Sequence, residues 1–380
     1  MRSDEISQLL QERIDANDFP SAVYLVAEKG EIVYQDALGY AVVVPESIEA
    51  KIDTIYDIAS LTKPLVTGLL AARLIERGQL ELARTIVYYL QEFNTPDTYQ
   101  EGQWNISVRR LLAHTSLLAA WKPFYLLVQR REEVLREIAR TPVDRELSGV
   151  TYSDLNFLVL TFLIERLRGQ GLDAIARVEI FDKLDLQSTF FNPPETIKAR
   201  IAASEMGNAY EKSTCFELGY FKPPADARVT DSFRDYQIWG EVHDGNAWFM
   251  GGVAGHAGLF STAEDVFKIA LQFLPNYSEL LNPDTCDLFR TNFTKGLNED
   301  RSFAFQLAST KNSTAGTKMS PESFGHLGFT GTSLWIDPVK DRIFILLTNR
   351  THAHPLPFVN INSVRRRFHD LAIGLLGENK

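Results

Sequence analysis

Within Asp57-Ile58-Ala59-Ser60-Leu61-Thr62-Lys63-Pro64, a serine and a lysine stand three residues apart, ahead of apolar residues at Leu65, Leu69, Leu70 and Leu74. That spacing predicts a helix with one buried face, with Ser60 at its mouth and Lys63 one turn in. Pro64 suits a first turn, Arg73 and Arg77 suit a last one, and Gly78 supplies a stop. Residues three apart on a helix are neighbours, so the hydroxyl and the amine share a face. A serine hydroxyl is a weak nucleophile near neutral pH and needs a base within hydrogen-bond reach. A lysine serves as that base when burial or a nearby cation lowers its pKa. A helix N-terminus acts in that direction, and its free N–H groups favour a developing oxyanion. The pair suits acyl transfer through a serine ester, although so short a pattern also arises by chance.

Two further elements follow in order. Tyr152-Ser153-Asp154 fits a Tyr-x-Asn element with a carboxylate in place of the amide, and His326-Leu327-Gly328 fits a Lys-Thr-Gly or His-Thr-Gly element without its threonine. Together with Ser-x-x-Lys these are the three signatures of penicillin-recognising serine hydrolases. The chain resembles class C β-lactamases and the DD-peptidases and esterases that share their fold. The likeness runs on through Leu111 to Ser116, Gly251 to Thr262 and Gly328 to Ser333, so it covers nearly the whole chain.

The resemblance implies that Ser60 is the nucleophile, that Lys63 and Tyr152 share the proton handling, and that His326 sets the electrostatics near Tyr152 and helps hold the substrate. It implies an oxyanion hole built from the backbone N–H groups of Ser60 and Phe329, and no metal or organic cofactor. Gly328 is expected to let a substrate lie against the strand edge. Two positions depart from the pattern: Asp154 offers only acceptors where the family has an amide and, when ionised, would repel a substrate carboxylate, and Leu327 lacks the hydroxyl that helps bind that carboxylate. Both departures argue against β-lactams and DD-peptides and toward a small ester or amide, an ester by preference, while leaving acylation untouched.

These groups must be positioned by the elements around them. Ile6, Leu9, Leu10 and Ile14 predict an amphipathic first helix, and Ala22–Ala27 and Glu31–Gln35 predict a hairpin about Glu28-Lys29-Gly30. From about 81 to 190 the pattern is helical, with helices at Val108–His114, Glu132–Arg140 and Leu155–Arg168, the last capped by Ser153. Residues from about 190 to 245 read as irregular, with Pro193, Pro194, Pro223 and Pro224. Gly251–Gly258 matches no phosphate-binding pattern and reads as a tight turn near the cleft. Ser261-Thr262-Ala263-Glu264 reads as a capping box for the next helix. Ser323–Phe329, Ser333–Ile336 and Arg342–Thr348 predict antiparallel strands, followed by a helix burying Val364, Phe368, Leu371 and Leu375. The expected fold is α/β (α+β), β-lactamase/transpeptidase-like: an antiparallel sheet flanked by N- and C-terminal helices with an inserted helical lobe. All 380 residues form one catalytic domain in this reading, the α/β part being about 1–80 and 245–380.

Composition sets bounds. A net charge of −10 argues against a nucleic-acid surface, and a hydrophobic share of 45% allows a large core. Cys215 and Cys286 read as free thiols. The chain shows neither a signal peptide nor an apolar run long enough for a bilayer, so a cytoplasmic protein acting on a small molecule is expected. The rivals to the ester or amide reading are a D-amino-acid peptidase or class C β-lactamase, and a catalytically silent peptide- or muropeptide-binding protein. His352 and His354 raise a metal hydrolase, but a loop role at the cleft rim is preferred. His114 and His256 read as structural histidines, while Trp121 and Trp335 suit either the cleft or the core.

Overall fold

The computed structural model describes residues 1–94, 106–143, 149–222 and 227–378. Pro223 and Pro224 lie outside the described residues. Among the described residues ten strands run in chain order: β1 (Ser21–Glu28), β2 (Glu31–Val42), β3 (Ile48–Glu49), β4 (Tyr56–Asp57), β5 (Phe190–Phe191), β6 (Leu259–Ser261), β7 (Gln306–Leu307), β8 (Phe324–Leu327), β9 (Ser333–Asp337) and β10 (Arg342–Thr348). Seven form one antiparallel sheet in the order β3-β2-β1-β10-β9-β8-β7, and β4-β6-β5 form a second, small sheet. β2 runs seven residues beyond the predicted end at Gln35; its inner half pairs Ser21 with Gly39 and its outer residues are only half-buried, so no apolar alternation marks it.

β1 shows why the sheet sits where it does. Ala22, Tyr24 and Val26 pack with Ile6, Leu10, Phe344 and Phe368, beneath the helices Asp4–Asp15 and Asn362–Glu378. Val23, Leu25 and Ala27 face the other way, onto Leu65, Leu69 and Ile345. Side chains alternate across a strand, and with both faces covered every one of these positions is apolar. Burying that second face seats the helical run after Lys63 against the sheet.

The lobe helices Val108–Leu112, Arg131–Arg140 and Asp154–Arg168 agree with the predicted ones to within two residues. Ser153 precedes the last of them, but its hydroxyl donates to the Ala119 carbonyl (2.6 Å) rather than capping the helix. Likewise the helix Ala263–Leu271 is capped by Thr262, which accepts from the Asp265 N–H (3.2 Å); the predicted box was placed one residue early. The region expected to be irregular contains a helix, Ala209–Glu217. Among the described residues no helix is long and apolar enough to cross a membrane. Both cysteines are free and buried.

Candidate active site

Ser60 does not sit on the first turn of a regular α-helix. It lies in a tight 3-10 turn, Ala59–Leu61, followed by a wide π-helical turn, Lys63–Gly68, and only then by the α-helix Leu69–Glu76. Ala59, just before the nucleophile, has φ +48°, a left-handed conformation that side chains resist and that surroundings must hold. Those surroundings are visible. Asp57 accepts from the Ala59 N–H (2.9 Å) and the His243 N–H (2.8 Å). Thr330 and Thr332 donate to the carbonyls of Asp57 (2.7 Å) and Ile58 (3.0 Å). The loop after β8 thus clamps the nucleophile turn.

Lys63 Nζ reaches three oxygens: Ser60 Oγ at 2.9 Å, the His256 carbonyl at 2.9 Å and Asp154 Oδ1 at 2.7 Å. The glycine turn supplies the carbonyl. Gly255 has its backbone against Thr67 and Thr161, where a Cβ would come within 2.6 Å of the Thr67 hydroxyl, so His256 can approach the helix closely. Tyr152 is half-buried, with its phenol close to Lys63 and Ser60, and has Lys63 Nζ 4.9 Å from its ring centroid. The structure therefore brings Ser60, Lys63, Tyr152 and Asp154 together.

The charge state differs from the expected one. Burial pulls the Lys63 pKa down, but Asp154 and Tyr152 outweigh it and hold the ammonium above its ordinary value. Burial likewise pushes the Tyr152 phenol up, and the nearby Lys63 charge does not reverse it. At rest the site holds a charged lysine, a neutral tyrosine and an aspartate whose charge Lys63 matches. The expectation that Asp154 would confront a substrate with an uncompensated charge is corrected accordingly.

His326 lies 5.7 Å from the Tyr152 ring, centroid to centroid. Its Nδ1 faces the Leu327 carbonyl (2.9 Å), so Nδ1 carries the proton and Nε2 is a bare acceptor. Burial, Lys63 and Arg301 hold its pKa well below the usual imidazole value. A neutral His326 acts on Tyr152 through its ring and its bare Nε2 rather than through a positive charge. His114 was read as structural, and its Nδ1 does accept from the Ser153 N–H (2.9 Å); its ring also packs 4.7 Å from that of Tyr152.

Leu327 and Gly328 line the cleft, yet the space beside Gly328 is filled by the protein itself: a Cβ there would come within 2.6 Å of the Ile58 carbonyl and closer still to Thr332 Oγ1. Gly328 is needed for loop-to-turn packing. The Phe329 N–H and the Ser60 N–H donate to no acceptor among the described residues. His352 is buried away from the cleft, with its ring between the Val43 N–H (2.8 Å) and the Ser204 carbonyl (2.9 Å), which leaves it no lone pair for a metal shared with His354. Asp154, Asp244 and His256 bring ligand atoms within 4.8 Å of one another, but Lys63 already occupies Asp154, and His256 Nε2 meets Asp244 Oδ1 at 2.9 Å.

The cleft encloses about 850 Å³. Its walls include residues that sequence reasoning missed: Tyr210, Glu211 and Thr214 from the helix Ala209–Glu217, and Arg301. The segment Ala-Tyr-Glu-Lys-Ser-Thr-Cys-Phe-Glu has no apolar stripe, so nothing marked it as a helix. Trp121 lines the cleft, whereas Trp335 is core.

A family model described as Beta-lactamase matches residues 6–365. The chain belongs to the beta-lactamase family. Among curated proteins, it is 30% identical over 379 residues to a putative D-alanyl-D-alanine carboxypeptidase of Escherichia coli K12, covering 93% of this chain and 83% of that one. It is 32% identical over 371 residues to a protein of the same description from Salmonella gallinarum, covering 90% and 82%. Among solved structures, it resembles EstCE1, a hydrolase with promiscuous acyltransferase activity, with TM-score 0.72, 20% identity and 96% and 97% of the two chains covered. A beta-lactamase from Sulfitobacter sp. EE-36 gives TM-score 0.71 at 18% identity, covering 99% and 98%. These likenesses show the β-lactamase/transpeptidase-like fold, and the family makes the chain a serine hydrolase.

Proposed function

We propose that the chain works as one catalytic unit that hydrolyses a small ester or amide through an acyl-enzyme on Ser60. One observation carries this: Lys63 Nζ lies 2.9 Å from Ser60 Oγ and 4.9 Å from the centroid of the Tyr152 ring. Ser60 Oγ attacks the carbonyl carbon as Lys63, once it has shed a proton, takes the hydroxyl proton. The N–H groups of Ser60 and Phe329 receive the oxyanion. Tyr152 then gives its phenolic proton to the leaving group and is reprotonated by Lys63, so the proton taken from Ser60 replaces the one that departs. Water repeats the sequence in reverse to free the acid.

Within this class a D-alanyl peptide is the favoured substrate over a neutral ester. The curated relatives carry that activity in their description, and the Lys63–Asp154 pair removes the repulsion that argued against an anionic substrate. A fluorophosphonate probe tests the reading: it should label the wild type at Ser60 and fail on Ser60→Ala. Labelling that persists unchanged in that variant would sink it.

A further inference from the structure

The third motif of this chain lacks the usual means of holding an anion. Leu327 has no hydroxyl, and His326 presents a bare Nε2 with no hydrogen-bond partner among the described residues. Yet among the described residues three arginines line the cleft: Arg301, Arg350 and Arg365. Two of them are committed elsewhere. Arg350 donates through Nε to the Phe329 carbonyl (2.7 Å) and through Nη1 to the Val359 carbonyl (2.8 Å). Arg365 donates through Nη2 to the carbonyls of Gly328 (3.0 Å) and Thr332 (2.9 Å) and through Nη1 to Asn362 Oδ1 (2.8 Å). Both hold the loop that follows β8.

Arg365 leaves one buried donor, Nε, unmet, whereas Arg301 leaves two. The Arg301 side chain is 6% exposed, and only Nη2 has a partner, Glu299 Oε1 at 2.8 Å. Nε and Nη1 are buried and donate to nothing among the described residues. Buried guanidinium donors left unmet cost free energy that a ligand acceptor recovers. The guanidinium carbon lies 5.2 Å from the centroid of the Tyr152 ring, on the cleft wall beside the group that protonates the leaving group.

We propose that Arg301 is the anion-binding residue of this cleft and takes the carboxylate of the leaving amino acid, in place of the missing third-motif hydroxyl. The proposal rests on the Ser60 acyl-enzyme reading and names what that site selects. A leaving group tethered by its carboxylate beside Tyr152 presents its nitrogen to the phenol, so Arg301 both selects and aligns it.

A matched pair of substrates tests it: an N-acyl-D-alanyl-D-alanine and the same peptide ending in D-alaninamide, with one scissile bond and one acyl group but different charge on the departing end. The wild type should favour the acid in kcat/KM by at least tenfold. Arg301→Gln should reduce that acid-to-amide ratio about tenfold to a hundredfold, chiefly through KM, the range expected for a lost charge-assisted hydrogen bond, and Arg301→Lys should reduce it less. A wild type without preference for the acid, or an Arg301→Gln variant that loses both substrates equally, overturns the proposal. The rise in melting temperature given by N-acetyl-D-alanyl-D-alanine, compared with its amide in Ser60→Ala backgrounds with and without Arg301→Gln, reads the same preference without chemistry. If the fluorophosphonate fails to label Ser60, the acyl-enzyme reading falls, and this melting comparison still decides on Arg301.

Discussion

Asp154 is the residue that most changes how the site works. With an amide at that position Lys63 would have only burial and a neutral neighbour acting on it; with a carboxylate 2.7 Å away its pKa lies above the ordinary value. A base that must first lose a proton acts through its deprotonated fraction, so acylation of the wild type by a neutral ester should keep rising into the alkaline range. Asp154→Asn removes the influence that raises the Lys63 pKa and leaves the burial that lowers it. The rising limb of kcat/KM should therefore move to lower pH, and the variant should acylate faster than the wild type near neutrality if its fold is kept. The pH profile of pre-steady-state acylation checks this, and an unmoved limb would mean that Lys63 is not the group being titrated.

At the scale of elements, the nucleophile turn and the loop after β8 depend on each other. Thr330 and Thr332 bond the backbone ahead of Ser60, and Gly328 leaves no gap between them for a methyl group. Gly328→Ala should push the two apart, costing about 1–3 kcal/mol as overpacking does and slowing Ser60 labelling by at least tenfold. A melting temperature and a labelling rate equal to those of the wild type would show that the loops have slack. How far the sequence could be read follows the same boundary. Ser60, Lys63 and Tyr152 were legible because local spacing and order along the chain carry them, and β10 was legible residue for residue because a strand buried on both faces is a continuous apolar run. The π-helical turn after Lys63 was not, since it arises from packing against Gly255 and the lobe rather than from propensity. Arg301 was not, since only the fold carries a residue that far along the chain to Tyr152. The charge on Lys63 was misread because it depends on a distance, and motifs contain none.

At the scale of the whole molecule, one carboxylate ties together the two helical segments that present the catalytic groups. Glu179 accepts from Arg73 (2.9 Å) and Arg77 (2.6 Å), at the far end of the run that begins with Lys63. It also accepts from Arg168 (2.9 Å), the last residue of the helix that begins with Asp154. The Glu179 side chain is 9% exposed, and hydrogen bonds from Arg77 and Arg73 overcome burial to bring its pKa down to about 2. A folded pKa below the unfolded carboxylate value, about 4.3, means stability that is present above that value and lost as pH falls toward 2. By linkage the contribution at neutral pH is on the order of 3 kcal/mol, and about half of it should be gone by pH 3. Glu179→Gln should therefore lower the urea midpoint at pH 7, leaving three arginines without their charge partner, and the gap from wild type should narrow between pH 5 and pH 3. Denaturation across that range checks it. A gap of constant size would mean that the glutamate acts by shape alone, and a missing gap would mean that the lobe is held to the sheet by its apolar core without help from the cluster.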